Sequence, residues 1–157
     1  MKLQKLISKL EKHHKKKLDL SLGRTFNLLK KLGDPQDKLK NVVTVVGTNA
    51  KASMCYSFKS ILNQAGYKTN LYTSPHLLSY TERYVFDDKE INEEDLIDLL
   101  TDVEKTLGDD NATLFEILTC AFLKYAENFK NNINIIEAGL FHQFDSTNVF
   151  KENLMTL

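Results

Sequence analysis

Val42-Val43-Thr44-Val45-Val46 runs directly into Gly47-Thr48-Asn49-Ala50-Lys51-Ala52-Ser53, and the fold turns on how this junction is read. A run of β-branched residues without polar alternation reads as a strand covered on both faces. Gly47 ends it. From Lys51 the period lengthens, and Met54, Cys55, Phe58, Ile61, Leu62 and Ala65 fall on one side of a helix that Gly66 closes. A buried strand feeding a helix through a short loop is the repeating unit of parallel sheets, and ligands of such sheets sit beyond the carboxyl ends of the strands.

The same pattern recurs outward from this junction. Lys68 to Thr73 reads as a second strand stopped by Ser74-Pro75, and Ile133 to Glu137 as a third, with Ile135 and Ile136 at its centre and Gly139 after it. Tyr84-Val85-Phe86, Asp87-Asp88 and Ile91 suggest a small hairpin. Helical spacing marks residues 2–11, 24–32 and 113–129, and Asn92 caps a further helix through Leu96, Leu99, Leu100 and Val103. Glu93, Glu94 and Asp95 sit at the positive end of that helix. Strands separated by helices predict an α/β fold, a parallel sheet of phosphate-loop type flanked by helices.

With 157 residues the chain suits one domain with a real core. Hydrophobic residues at 42% and charged residues at 27% are the balance of a folded globular protein, and a net charge of zero gives no global attraction to nucleic acid or membrane. The basic run Lys12, His13, His14, Lys15, Lys16 and Lys17 reads either as a nucleic-acid patch or as the solvated face of an N-terminal helix. The second is favoured, because no aromatic residues interleave with the lysines. Cys55 and Cys120 are isolated within apolar helical patterns and read as small buried hydrophobes. No leader-like or bilayer-length apolar stretch is present, so the sequence predicts a cytoplasmic protein without membrane or nucleic-acid partners.

At the junction itself, Lys51 offers a positive charge to β- and γ-phosphates, and Ser53 a hydroxyl for a magnesium ion. Backbone N–H groups of Gly47, Thr48, Asn49, Ala50 and Ala52 would cradle the same phosphates. The strict phosphate-loop pattern needs glycine before the lysine, and Ala50 stands there. If that position requires positive φ, alanine costs about 1–2 kcal/mol. An ordinary strand-to-helix turn explains the loop equally well.

Further motifs follow in order: Thr73-Ser74-Pro75-His76-Leu77, Glu82-Arg83, Phe115-Glu116, Glu137-Ala138-Gly139-Leu140 and Asp145-Ser146-Thr147-Asn148. With Leu22-Gly23-Arg24 and Gly33-Asp34-Pro35 upstream, this set resembles the folylpolyglutamate synthase/dihydrofolate synthase family, within the wider Mur-ligase-like group. The resemblance covers almost the whole chain and implies ATP-dependent ligation of glutamate to folate or dihydropteroate through an acyl phosphate. It implies ATP and Mg²⁺ as cofactors, with Lys51 and Ser53 in the phosphate loop and Ser74 and Glu137 around magnesium. Lys51 reads alternatively as the first solvated residue of its helix and Ser74 as a turn residue, whereas the cost of an unpaired buried carboxylate favours a functional role for Glu137. His76 and Arg83 resemble folate-side residues whose cations meet a glutamyl tail, or are simply surface loop residues. Glu116 either contacts substrate or adds negative charge to a helix N-terminus. Asp145, Thr147 and Asn148 resemble a DxTN segment, or form an Asx turn.

The sequence departs from the family pattern at Ala50 and Ala52, and at Phe141, His142 and Gln143, where the family has a glycine pair and an arginine. By the resemblance, residues 1–157 correspond to a partial N-terminal ATP-binding domain without the family's C-terminal domain. The expectation is a chain with little or no ligase activity by itself: a residual nucleotide binder or remnant, or one half of a ligase completed by a separate polypeptide.

Overall fold

The computed structural model describes residues 2–13, 21–139, 142–152 and 154–156, with His142 described by its backbone alone. His14 to Lys17 of the basic run, Leu140, Phe141 and the His142 side chain therefore lie outside the described residues.

The helices are α1 (Lys2–Leu10), α2 (Gly23–Lys31), α3 (Lys51–Gln64), α4 (Glu93–Leu107) and α5 (Leu114–Ala126). The strands are β1 (Val42–Val45), β2 (Thr69–Tyr72), β3 (Tyr84–Phe86), β4 (Lys89–Glu90), β5 (Ile133–Glu137) and β6 (Met155–Thr156). They form one sheet in the order β4-β3-β2-β5-β1-β6. The strands β2, β5, β1 and β6 run parallel, as the α/β reading expected. The hairpin β3–β4 adds an antiparallel margin to the sheet, and β6 extends it past β1, where the sequence suggests no strand.

Alternate residues of each strand enter opposite layers. Val42, Tyr72, Tyr84, Phe86 and Ile136 meet α1, α2, α4 and α5 in the larger core, where Phe122 stacks on Phe86 at 5.1 Å and lies 5.0 Å from Tyr72. Val45, Leu71, Val85 and Ile135 meet Cys55, Phe58 and Leu62 of α3 on the other face. Two covered faces explain why β1 and β2 are buried at every position. The helix-side reading of α3 needs correction. Cys55, Phe58 and Leu62 contact the sheet, whereas Met54 is 50% and Ile61 63% exposed, and Ala65 is exposed. One strip at i, i+3 and i+7 suffices for a single helix laid on a sheet.

The start of each of α4 and α5 is set by its cap. Asn92 accepts from the Asp95 N–H, and Thr113 and Glu116 form a reciprocal capping box. The start of α3 differs. Its N-cap is Ala50, with no side-chain cap and a left-handed backbone at φ 59°, ψ 14°. Among the described residues five non-glycines have positive φ, and Ala50 is the one that is neither Asp nor Asn. The positive φ on which the cost of alanine depends is therefore present.

At the opposite end of the sheet, buried amides lock the register. Asn70 Nδ2 donates to Asn134 Oδ1 at 2.9 Å, Asn132 Nδ2 to Asn70 Oδ1 at 3.0 Å, and Asn134 Nδ2 to the Lys40 carbonyl at 3.0 Å. Truncating one member leaves the others unpaired in the interior. Asn134→Ala is expected to destabilise the chain by about 1–3 kcal/mol, read from urea unfolding. Ala50→Gly is expected to stabilise it by roughly 0.5–1 kcal/mol, since relief of the left-handed penalty exceeds the entropic cost of glycine. A lower urea midpoint in Ala50→Gly would contradict the assignment of strain to that residue.

Candidate functional site

β5 lies between β1 and β2, so the loops leaving the carboxyl ends of all three open side by side. The Ala138 N–H donates to the Val45 carbonyl at 2.9 Å, carrying the β1–β5 ladder one residue past the strand. Around this edge Lys51, Ser74, Pro75, Arg83, Phe115, Gly139 and Asp145 line a cavity of about 470 Å³.

Lys51 opens α3 and is half-buried, whereas Gly47, Thr48, Asn49 and Ala50 form an exposed loop beside it. Gly47 has φ 149°, and a Cβ there would make only ordinary contacts, 3.8 Å from the Asn49 carbonyl oxygen and from Lys51 Cγ, so conformation rather than crowding favours glycine. Because Ala50 provides no side-chain cap, the first N–H groups of α3 keep their capacity to bind an anion. Ala52 and Ser53 are exposed on the first turn and are not among the residues lining the cavity.

The Ser74–Pro75 peptide is cis. The Ser74 N–H donates to Glu137 Oε2 at 2.8 Å, so the two residues expected around magnesium lie side by side. Glu137 is 3% exposed. Burial pushes its carboxyl above the usual range, against the opposing pull of the Ser74 N–H, Lys51 and Arg83. The Ser74 hydroxyl and the Glu137 carboxylate are oxygen donors of the kind Mg²⁺ takes, on two residues that the Ser74 N–H bond to Oε2 holds together. Beneath the loop, burial and then Glu137 push the Cys55 thiol up to about 12, so it remains a neutral apolar group. Cys120 is likewise buried.

The segment after β2 is anchored by Glu82, whose carboxylate accepts from the N–H groups of Leu77 and Leu78 at 2.8 Å and of Ser79 at 2.7 Å. These bonds hold the Glu82 carboxyl below its usual range. They also fix a loop whose Leu77 and Leu78 side chains are 92% and 93% exposed. Arg83 leaves the end of this loop, and its Nε donates to His76 Nδ1 at 2.9 Å, with the guanidinium 5.1 Å from the centre of the Tyr80 ring. His76 therefore acts as an acceptor, and burial followed by the Arg83 charge holds its pKa below the usual value. Of this pair, Arg83 lines the cavity and His76 stands behind it.

Glu116 faces elsewhere. Its carboxylate accepts two bonds from Arg24 Nε, at 3.1 and 3.2 Å, one from Nη2 at 3.0 Å, and one from the Thr113 N–H at 2.6 Å. Of the two readings of Glu116, the geometry matches the helix-start one and sets it outside the cavity lining. The neighbouring Phe115, which the motif gives no role of its own, is the residue of that turn that does line the cavity. Asp145 both forms the expected Asx turn, with Oδ1 accepting from the Thr147 N–H at 2.9 Å, and lines the cavity. Gly139 gives both room, because a Cβ there would sit 2.5 Å from Asp145 Oδ2 and 3.0 Å from Phe115 Cζ unless those side chains shifted.

No family model matches the sequence. The chain is 36% identical over 143 residues to the dihydrofolate synthase/folylpolyglutamate synthase of Escherichia coli, an alignment covering 91% of this chain and 34% of that protein. The Bacillus subtilis enzyme of the same name is also 36% identical, over 87% of this chain and 33% of that one. Among solved structures, E. coli FolC in complex with DHPP and ADP superposes with a TM-score of 0.87 at 36% identity, covering 94% of this chain and 36% of that one. The bifunctional synthase of Yersinia pestis complexed with AMPPNP and Mn gives 0.89 at 31% identity, over 98% and 37%. The chain thus spans about a third of the length of the curated relatives it matches. By sequence and by fold it is a homologue of the N-terminal third of the folylpolyglutamate synthase/dihydrofolate synthase family.

Proposed function

We propose that this chain carries the phosphate-side half of an ATP-dependent ligase site, in which a folate or dihydropteroate carboxylate is activated for attack by glutamate. The observation that carries this reading is the convergence of Lys51, Ser74, Arg83, Phe115 and Asp145 on one cavity beside Glu137. Solved relatives are described as complexes with DHPP and ADP and with AMPPNP and Mn, which supports a nucleotide and a metal in this reading.

The chemistry is transfer of the ATP γ-phosphoryl group to a carboxylate oxygen, with ADP leaving, followed by attack of the glutamate amine on the acyl carbon and loss of phosphate. Little covalent work falls to the protein, whose task is to position the reactants and offset charge. Lys51 and the open N–H groups of α3 face the phosphates. Ser74 and Glu137 would hold Mg²⁺, which neutralises phosphate charge when bound. Arg83 is a second cation in the cavity and suits the anionic end of the acid substrate, while the Phe115 ring offers a flat apolar surface to its aromatic part. Ala50 keeps the loop in the conformation that glycine would adopt, so the alanine costs stability and leaves the loop's shape intact.

Three measurements test this. The chain is expected to bind ATP in the presence of Mg²⁺, and Lys51→Ala to weaken binding at least tenfold by calorimetry, the loss of about 1.4 kcal/mol of charge-assisted bonding. Absence of Mg-ATP binding by the unaltered chain would refute the proposal. Glu137→Gln should abolish the magnesium dependence of that binding without loss of stability at neutral pH. The sign follows from the raised carboxyl: its folded pKa lies above the unfolded one, so ionised Glu137 costs stability, and that cost fades as pH falls through the raised value. The chain by itself, assayed with ATP, glutamate and dihydropteroate, is expected to form no ligation product, since its relatives are about three times as long.

A further inference from the structure

We infer that His76 is a positioning residue for Arg83: its Nδ1 lone pair, present only in the neutral ring with the proton on Nε2, holds the guanidinium by Nε and leaves its outer N–H groups to the substrate's anionic end. This rests on the reading of the cavity as a carboxylate-activating site. It differs from a role in which His76 is itself a cation that meets substrate.

Three contacts fix the arrangement. The Arg83 Nε–H reaches His76 Nδ1 at 2.9 Å. The Tyr80 ring lies against both groups, 4.1 Å from the His76 ring centre and 5.1 Å from Arg83 Cζ. The third is the 3₁₀ turn Tyr80–Arg83, whose Ser79–Glu82 capping box sets the spacing of both partners. A guanidinium has five N–H donors in a planar fork, and engaging Nε leaves four on the terminal nitrogens. No carboxylate among the described residues forms an ion pair with Arg83, although it lines the cavity with Lys51. Lys51 and Arg83 share the cavity with Asp145 and act on the buried Glu137 carboxylate, which the Ser74 N–H already engages, so the terminal N–H groups of Arg83 suit an anionic ligand.

The test has one arm that needs no ligand. In long-range ¹H–¹⁵N spectra of the labelled chain at neutral pH, His76 is expected as the Nε2–H tautomer. Arg83→Ala should relax that tautomer preference. An Nδ1–H tautomer, or a tautomer that Arg83→Ala leaves unchanged, overturns the inference. The second arm uses pteroate as the probe, against the same molecule with its carboxylate amidated. His76→Ala should weaken pteroate binding several-fold, up to about tenfold, and the amide little, which corresponds to at most about 1.4 kcal/mol. His76→Asn keeps an acceptor near Nδ1, so it should restore affinity. Equal weakening by His76→Ala and His76→Asn overturns the inference. If Arg83→Ala leaves pteroate affinity unchanged, the carboxylate reading of the cavity fails instead, and the spectra still decide the tautomer.

Discussion

The pairing of β5 with β1 on one side and β2 on the other is the constraint on which the site depends. Val45 lies opposite Glu137 and Tyr72 opposite Ile136, so three strand ends reach the same level of the sheet. A slip of one residue would turn every side chain of β5 to the other face. Ile135 and Ile136 would exchange cores, and Glu137 would leave the edge where the Ser74 N–H meets it. The buried amides of Asn70, Asn132 and Asn134 oppose that slip from the far end, because each bonds to groups whose positions the register sets. Apolar burial holds the sheet together without choosing a register so sharply. Geometry at the carboxyl ends is thus secured by polar contacts at the amino ends.

With the strands fixed, the cavity acquires a divided charge arrangement. Lys51 and Arg83 bring positive charge, while Glu137 is buried and held by a backbone N–H, and Asp145 is engaged by Thr147. The acids are tied to the scaffold and the cations face the open space. Such a division attracts phosphate and carboxylate groups while keeping two carboxylates within reach of a divalent ion or a polar ring. Glu137 illustrates the cost. Its burial disfavours the ionised form that a metal requires, so the same placement that serves binding subtracts from stability.

Much of this is legible in the sequence, for reasons that differ from one element to the next. β5 can be read at its observed limits because Ile133 to Glu137 is bounded by Asn131-Asn132 and Gly139 and filled with β-branched residues. Asn92 announces its helix by capping chemistry, and the helix after Thr113 is announced by apolar spacing, its capping box appearing only in the structure. By contrast, β6 is a pair of residues whose pairing to Val43 and Thr44 is a tertiary event, with no local pattern to signal it. The outer side of α3 misleads because spacing identifies apolar residues on a broad face and cannot say how wide the contacting strip is. Lys51, Ser74, Glu137 and Arg83 are signalled by family-like motifs. Phe115 and Asp145 also fall in those motifs, but their meeting at one cavity beside Gly139 has no one-dimensional trace. Of the motif residues, Ser53 and Glu116 are where spacing and geometry part: one is exposed on its helix, and the other is occupied by Arg24 and Thr113.

The alanine before Lys51 shows how far local preference can be overruled. Left to itself, alanine avoids the left-handed region by about 1–2 kcal/mol, and the cheaper course would be a loop of another shape. That course is closed by the elements on either side. β1 is fixed between β5 and β6, and α3 is fixed to the sheet through Cys55, Phe58 and Leu62, which sets the direction and spacing across which residues 46–50 must turn. The strain at Ala50 is therefore imposed by packing on both sides, and it is distributed through contacts that individually look unrelated to the loop. Replacing the glycine of a phosphate loop in this setting alters the free energy of the fold before it alters the cradle. The sequence departure that most suggests a lost function is, in this geometry, first a matter of stability.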